Sequence, residues 1–181
     1  MSRTPVTEPV DNEELVVLVD EDDRVIGTEG KMAAHIAGKL HRAVSVFVFN
    51  TDGKLLLQQR AASKYHSAGL WSNTCCGHPR PEEKTDHAAH RRLQDEMGFD
   101  CPLRRGFDFV YKRQLNGGLI EHEYDHVFVG HHDDAPSPAP AEVADWRWVG
   151  VDEVLTDLEA NPDRYTAWFG LALERVLERR E

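Results

Sequence analysis

Short apolar runs separated by turn-forming residues recur along the chain and predict a sheet built from hairpins. The Asp-Gly pair at residues 52–53 separates two of these runs, which is a strong hairpin signal. Asn-Gly-Gly at residues 116–118 separates a second pair of runs, and the acidic residues 20–23 separate a third. The predicted strands are residues 14–19, 24–28, 43–49, 54–60, 107–114, 119–130 and 146–149.

Helical patterns occur in three segments. Residues 82–97 contain no Gly or Pro, follow two prolines and end at Gly98, which predicts a helix with a glycine C-cap. A short helix is predicted over residues 152–159. A terminal helix is predicted from about residue 164, because apolar residues then recur at helical spacing.

The remaining segments predict loops and complete the fold class. Residues 31–41 are interpreted as a loop around Gly38, and the proline-rich residues 133–140 as a surface loop. Strands interrupted by one central helix and followed by terminal helices predict an α+β fold, with a mixed β-sheet sandwiched between α-helices.

Composition restricts the class of protein. The chain has 181 residues, 40% of them hydrophobic and 29% charged, so a single domain over residues 1–181 is expected, with residues 1–13 flexible. No apolar run approaches the ~18 residues that span a bilayer. The balance of 21 basic and 32 acidic residues argues against nucleic acid as a partner. Three cysteines and no apolar leader predict a reducing, cytoplasmic location.

Residues 77–99 carry a spaced pattern of glycine, acidic, basic and apolar positions. The members of the pattern are Gly77, Glu83, Arg91, Leu93, Asp95, Glu96, Gly98 and Phe99. This pattern resembles the Nudix box and therefore implies the Nudix fold. Arg92 departs from it, because Nudix hydrolases carry a metal-assembling glutamate there. Without the resemblance, Arg91/Asp95 and Arg92/Glu96 are ordinary i,i+4 pairs on an exposed helix.

Imidazole and carboxylate groups occur in three further segments, residues 31–41, 72–79 and 120–124. Glu121 and Glu123 share one face of a strand, which is costly without a cation. Each segment alone is better explained as an exposed loop or strand. Together the groups suit a divalent transition metal. They are His35, His41, His78, Glu121 and Glu123.

The order of KMAAH, LWSNTCCGHP and IEHEY resembles the type 1 isopentenyl-diphosphate isomerases, which have the Nudix fold but do not hydrolyse their substrate. The likeness spans about residues 16–168. It implies that Cys76 and Glu123 lie on opposite sides of the substrate alkene, that Tyr111 hydrogen-bonds the glutamate, and that Trp168 faces the carbocation. Cys75, which points the other way in an extended segment, is interpreted as structural.

The same resemblance implies two metal sites and a small-molecule diphosphate as substrate. The three histidines and two glutamates named above are its ligands for Zn²⁺, Mn²⁺ or Mg²⁺, and Glu96 holds a Mg²⁺ ion that bridges the diphosphate. Its phosphate-binding cations are Lys31, Arg60, Lys64 and Arg92. The implied partner is therefore a small molecule, with no membrane association, and both a monomer and a homodimer remain open.

The reaction that the resemblance implies is a 1,3 proton shift through a tertiary carbocation. Glu123 is expected to protonate C4, and Cys76 to remove a proton from C2 as a thiolate whose pKa nearby cations lower. Two alternatives remain at this point. One is a Nudix hydrolase of a nucleoside diphosphate derivative that uses Glu83, Asp95 and Glu96. The other is a metal-binding scaffold without catalysis.

Overall fold

A computed structural model describes residues 14–180. Its strands and helices, in chain order, are β1 Leu15–Val19, β2 Val25–Gly30, α1 Lys31–Ala37, β3 His41–Phe49, β4 Leu55–Arg60, β5 Trp71–Ser72, β6 Cys75–Gly77, α2 Thr85–Met97, β7 Leu103–Gln114, β8 Ile120–His131, β9 Val143–Val149, α3 Val151–Ala160 and α4 Phe169–Glu178. The expectation for residues 1–13 falls outside this range. Among the residues described, no helix combines the length and the apolar character needed to cross a membrane.

Strand β3 is the centre of the sheet. It pairs in parallel with β8 along its whole length, from His41 opposite Glu123 to Phe49 opposite His131. It also pairs antiparallel with β6, and β8 pairs antiparallel with β7. On the other side β1 pairs with β2 and reaches the start of β3. The sheet is therefore mixed, as predicted.

The predicted hairpin of residues 43–49 and 54–60 is present only at its turn. Strands β3 and β4 pair at a single position, Phe49 opposite Leu55. Beyond it β4 diverges and pairs with β9, from Leu55–Val149 to Arg60–Val143. The reason is that β6 and β8 already take the two edges of β3, so β4 needs another partner.

Side chains of β3 alternate between two cores. Val44, Val46 and Val48 pack with the buried face of α2, whereas Phe47 and Phe49 pack with α3 and α4. Full burial of each such side chain contributes about 1.5–3 kcal/mol. The sheet thus lies between helices, which confirms the predicted fold class.

Several predicted element boundaries are wrong, for local reasons. Helix α2 begins at Thr85 and not at residue 82, because Glu82 has a φ of 67°, which a right-handed helix excludes. Helix α4 begins at Phe169, because Pro162–Arg164 form a separate 3-10 turn. Strands β3, β7 and β9 begin two to four residues earlier than predicted.

The segment interpreted as a loop at residues 31–41 is instead mostly helical. Helix α1 covers Lys31–Ala37 and ends where Gly38 takes a left-handed conformation with φ 67°. A two-turn helix without an acidic first turn or a side-chain N-cap gives a weak sequence signal, which explains the error.

The predicted loop at residues 133–140 docks on the C-terminus of α2. The Ser137 amide donates to Met97 O at 2.9 Å, and the Ala139 amide donates to Glu96 O at 3.0 Å. Gly98 turns the chain at this point with φ 72°. A Cβ atom on Gly98 would lie 2.0 Å from Ser137 O, so the close approach requires glycine.

We expect Gly98→Ala to destabilise the protein more than Gly117→Ala does. Both glycines have a φ above 70°, but a Cβ on Gly117 meets nothing within 4 Å. The conformational cost common to both is about 1–2 kcal/mol, and only Gly98→Ala adds a backbone clash. Urea unfolding of the two variants measures the difference. Equal losses of unfolding free energy would contradict the proposed docking of residues 133–140.

Candidate active site

One pocket of about 200 Å³ gathers most of the residues singled out by the sequence. Those that line it are Lys31, Arg60, Lys64, Cys76, His78, Arg92, Glu96, Glu121, Glu123 and Trp168. His35 and His41 lie fully buried beside it, and Tyr111 is buried in contact with Glu123. A larger groove of about 840 Å³ near the start of α2 holds none of these residues. The pocket is therefore the candidate active site.

Three imidazoles converge at one end of the pocket. His35 comes from α1, His41 begins β3 and His78 follows β6. Their ring centroids lie 5.0 Å apart for His35–His41, 5.1 Å for His41–His78 and 6.1 Å for His35–His78. The parallel register places Glu123 beside His41, and its Oε1 lies 3.5 Å from His41 Nε2 and 3.2 Å from His78 Nε2.

The tautomers of His35 and His41 leave the Nε2 atom of each ring able to bind a cation. His35 Nδ1 donates to Lys31 O at 2.7 Å, and His41 Nδ1 donates to Lys39 O at 2.9 Å. Because a carbonyl oxygen only accepts, both Nε2 atoms carry lone pairs, and both are buried without a hydrogen-bond partner. The ligand atoms of His35, His41, His78 and Glu123 lie within 4.8 Å of one another. Nitrogen and oxygen donors in this arrangement fit a divalent transition metal.

Glu121 belongs to a neighbouring group. Its ligand oxygen lies within 4.8 Å of those of His35 and His66, and all three side chains are buried. His66 was not among the predicted site residues. It is one of ten histidines in the sequence, and nothing in its spacing distinguishes it before the chain folds.

Burial controls the charge states of the cluster. It raises the pKa of Glu121 well above its usual value, and the charge of Glu123 adds to this effect. Burial also opposes ionisation of Glu123, but its close contacts with His41 and His78 outweigh it and hold that pKa well below the usual range. Burial lowers the pKa of His78 to about 4 and that of His66 to about 3. Both imidazoles are therefore neutral and able to act as ligands.

Tyr111 and Glu123 are joined across the β7–β8 pair. The two residues face each other in register, and the Tyr111 hydroxyl donates to Glu123 Oε2 at 2.7 Å. Since Oε1 of the same carboxylate faces the histidines, the two oxygens have separate partners.

The side chain of Cys76 reaches the pocket, while Cys75 is fully buried in the core beside α2. The Cys76 thiol donates to Asn73 Oδ1 at 3.3 Å, and Ser45 Oγ lies 3.7 Å from the sulfur. Burial and the charge of Asp125 raise its pKa. The expectation of a thiolate stabilised by nearby cations is therefore wrong for the protein without metal or substrate.

Asn73 fixes the thiol and Trp168 relative to each other. Its side-chain NH₂ donates to Val46 O at 3.1 Å and Cys75 O at 2.8 Å, which fixes the orientation of the amide. Asn73 Oδ1 then accepts from both the Cys76 thiol and Trp168 Nε1, the latter at 3.2 Å. Asn73 lies within the motif LWSNTCCGHP, but no role was predicted for it.

Asp125 is a further buried carboxylate that the sequence analysis missed. It lies on β8, is fully buried, and accepts a hydrogen bond of 2.7 Å from Ser45 Oγ. The signal was available, because Asp125 continues the alternation that places Glu121 and Glu123 on one strand face.

The predicted phosphate-binding cations also line the pocket, and acidic side chains pair with three of the four. Lys31 pairs with Glu14 at 3.2 Å, and Lys64 pairs with Glu142. Arg60 lies 5.6 Å from the centre of the Trp168 ring. Glu142, which sequence reasoning missed, also contacts Arg92 at 3.6 Å.

Residues of the box helix α2 have separate roles. Glu83 binds Arg91 through both carboxylate oxygens at 2.8 Å, and Arg91 also donates to His78 O at 3.1 Å. Arg92 donates to Glu96 Oε1 at 2.6 Å, and Gln58 donates to Glu96 Oε2 at 2.8 Å. Each Glu96 oxygen keeps a second lone-pair direction, so the carboxylate still fits a Mg²⁺ ion.

The i,i+4 contacts that the helix spacing predicts are both present. Arg91 lies 3.8 Å from Asp95, and Arg92 lies 2.6 Å from Glu96. They do not lie on an exposed face, however, because the Arg92 side chain is only 15% exposed. A Cβ on Gly77 would lie 2.6 Å from Arg92 Cγ, so the box glycine gives this arginine room to reach the pocket.

Comparisons with known proteins agree with this architecture. A NUDIX domain matches residues 39–169. Isopentenyl-diphosphate Delta-isomerase 2 of Aromatoleum aromaticum is 54% identical over 165 residues, which cover 91% of this chain and 87% of the relative. The isopentenyl-diphosphate Delta-isomerase of Serratia proteamaculans is 50% identical over 157 residues, covering 87% and 88%.

Among solved structures, DR0079 from Deinococcus radiodurans aligns with a TM-score of 0.76 and 18% sequence identity, covering 93% of this chain and all of its own. A C. elegans Ap4A hydrolase aligns with a TM-score of 0.53 and 18% identity, covering 76% of this chain and 95% of its own. At such identities the likeness shows the fold alone.

Fold and matched domain together define a Nudix-domain protein. Within that class, the identity to curated relatives over most of the chain shows that it belongs to the isopentenyl-diphosphate Delta-isomerases. The family resemblance found in the sequence is thereby confirmed, and the chain is an enzyme of the isomerase class. The hydrolase alternative keeps only the support of a shared fold.

We expect the metal-free protein to bind a transition metal ion and to gain stability from it. An ion at 100 times its Kd stabilises the folded state by about 2.7 kcal/mol. Thermal unfolding with added Zn²⁺ or Mn²⁺ measures this effect. His41→Ala should abolish the shift, whereas His87→Ala, which changes an exposed histidine of α2, should retain it. An unchanged shift in His41→Ala would contradict the site.

Proposed function

We propose that the protein interconverts isopentenyl diphosphate and dimethylallyl diphosphate by a 1,3 proton shift, with Cys76 and Glu123 as the opposed acid and base. The family supports the reaction, and one observation supports these residues. A single pocket contains a half-buried thiol, a carboxylate bonded to Tyr111, and an indole beside a cluster of cations.

The proposed reaction begins when a proton is added to C4 of the terminal alkene, which leaves a tertiary carbocation at C3. Loss of a proton from C2 then forms the C2–C3 double bond of dimethylallyl diphosphate. An alkene is a weak base, so the acid must act in a pocket without bulk water. In this direction Glu123, hydrogen-bonded to Tyr111, supplies the proton and Cys76 receives one.

Cys76 and Glu123 together carry one transferable proton. The forward and reverse reactions need this proton on different residues, so each direction uses a different tautomer of the pair. In the protein without metal or substrate, the raised pKa of Cys76 and the lowered pKa of Glu123 favour the tautomer with the proton on sulfur. That tautomer is the one that protonates C2 and removes a proton from the C4 methyl group. Formation of dimethylallyl diphosphate requires the proton on Glu123, so the two tautomers must interconvert between opposite turnovers.

Metal ions would complete the charge balance of the site. An ion bound by His35, His41, His78, Glu121 and Glu123 would supply positive charge that fixes the Glu123 carboxylate, and Mg²⁺ at Glu96 would offset diphosphate charge. The protein itself holds the diphosphate through Lys31, Arg60, Lys64 and Arg92. Since acidic side chains occupy several of these cations, the diphosphate must displace Glu142 to bind Lys64 and Arg92 fully.

Trp168 assists the reaction without dominating it. Its ring is 3% exposed and held by Asn73, so it does not need to be ordered when the carbocation forms. A cation–π contact contributes about 0.5–2 kcal/mol, and a positioned acid and base about 3–5.5 kcal/mol. Enzymes lower barriers by at least ~8 kcal/mol. Preorganised charges in the dry pocket supply the rest.

The first test is to incubate the protein and Mg²⁺ with isopentenyl diphosphate in D₂O. We expect proton NMR to show dimethylallyl diphosphate that carries deuterium, because the added proton comes from solvent-exchanged groups. A phosphate assay should remain negative, and Cys76→Ala should be inactive while Cys101→Ala stays active. Phosphate release without isomerisation would overturn the proposal and favour a hydrolase.

The second test removes one hydroxyl group. Tyr111→Phe deletes the hydrogen bond to Glu123, and we expect kcat to fall about 10²-fold or more, the lower range for general acid–base catalysis, with little change in KM. Tyr124→Phe is the matched control, because Tyr124 lies on β8 but points to the opposite face. A Tyr111→Phe enzyme with the kcat of the control would show that the hydroxyl has no part in proton transfer.

A further inference from the structure

His66 is a buried imidazole without a role in the proposed mechanism. It lies in the connection between β4 and β5, is 9% exposed, and lines the pocket beside Trp168. Its ring stacks on that of His35 with a centroid separation of 5.5 Å. This separation falls between the 5.0 Å and 6.1 Å that separate His35 from the two other histidines of the metal cluster.

The distances among the ligand atoms of a second group, His35, His66 and Glu121, also suit one bound ion. The ligand atoms of His35, His66 and Glu121 lie within 4.8 Å of one another. Two nitrogen ligands on opposite sides of one ion are about 4 Å apart, since each metal–nitrogen bond is about 2.0–2.1 Å. Small shifts therefore bring all three atoms to one ion.

Local hydrogen bonds of His66 follow the pattern of the other ligands. His66 Nδ1 lies 3.1 Å from the Ser67 hydroxyl oxygen, just as His35 and His41 each use Nδ1 for a nearby oxygen atom. In the tautomer in which Nδ1 donates to this hydroxyl, Nε2 carries the lone pair that binds the ion. Ser67 itself has a φ of 52°, a left-handed conformation that shapes the connection next to His66.

Glu121 is the carboxylate of the second group, which shares His35 with the first. Its Oε2 is buried and has no hydrogen-bond partner, so the carboxylate needs a cation. The side chains that share a group with it are His35 and His66, and not His41, His78 or Glu123. An ion that reaches Glu121 from the first group therefore also approaches His66.

We propose that His66 is a further ligand of the metal centre, so that one ion is bound by four imidazoles and two carboxylates. This inference rests on the metal site in the proposed function. Six protein donors complete an octahedral shell and leave no position for substrate or water. Four imidazoles also favour Zn²⁺, Co²⁺ or Fe²⁺ over Mg²⁺. The centre then holds Glu123 in place, and the diphosphate binds elsewhere in the pocket.

The test uses Co²⁺ alone, added to metal-free protein, and counts the paramagnetically shifted imidazole N–H signals in proton NMR. We expect one Co²⁺ per chain and four such signals in the wild-type protein. Three signals in the wild-type protein would overturn the inference and leave the first group of ligands intact. No bound Co²⁺ would overturn both this inference and the metal site on which it rests.

A variant provides a second measurement. We expect His66→Ala to lose one shifted signal and at least tenfold in Co²⁺ affinity, measured by competition with a chelator. His87→Ala should match the wild type in both. If His66→Ala keeps the wild-type affinity and signals but raises KM, His66 contacts substrate only and the inference is wrong. The wild-type signal count decides the question even if this variant does not fold.

Discussion

Burial of carboxyl groups on one face of β8 is the constraint on which the rest of the site depends. Glu121, Glu123 and Asp125 alternate along the strand, and none is more than 6% exposed. Removing such carboxylates from water costs several kcal/mol each unless partners compensate for it. The fold supplies these partners from separate elements: imidazoles from α1, β3 and the end of β6, and hydroxyl groups from β3 and β7.

The same constraint explains why the proposed acid–base pair, Cys76 and Glu123, can differ in charge state within a small pocket. Contacts with His41 and His78 lower the pKa of Glu123 against the effect of burial, whereas burial and the charge of Asp125 raise the pKa of the Cys76 thiol. Asn73 adds rigidity by holding the thiol and the indole on one oxygen atom. Neighbouring arginines of helix α2 have different contacts, since Arg91 donates to the backbone of His78 while Arg92 lines the pocket beside Glu96.

The sequence by itself determined what depends on neighbouring residues. Gly98 ended the central helix, the Asn-Gly-Gly turn joined β7 to β8, and strand alternation placed Glu121 and Glu123 on one face, because backbone geometry sets these patterns locally. The motif order also identified the family and most of the candidate site. Sequence spacing alone did not show that His35, His41 and His78 come together in space.

Only the tertiary structure decided which partners meet. Strand β4 leaves β3 for β9 because competition for strand edges involves residues about ninety positions apart. The raised pKa of Cys76 depends on burial and on the charge of Asp125, neither of which the local motif contains. The positions of His66 and Asn73 at the pocket likewise depend on the folded structure. Burial, strand register and charge compensation depend on contacts between distant parts of the chain, so they are defined only once the chain has folded.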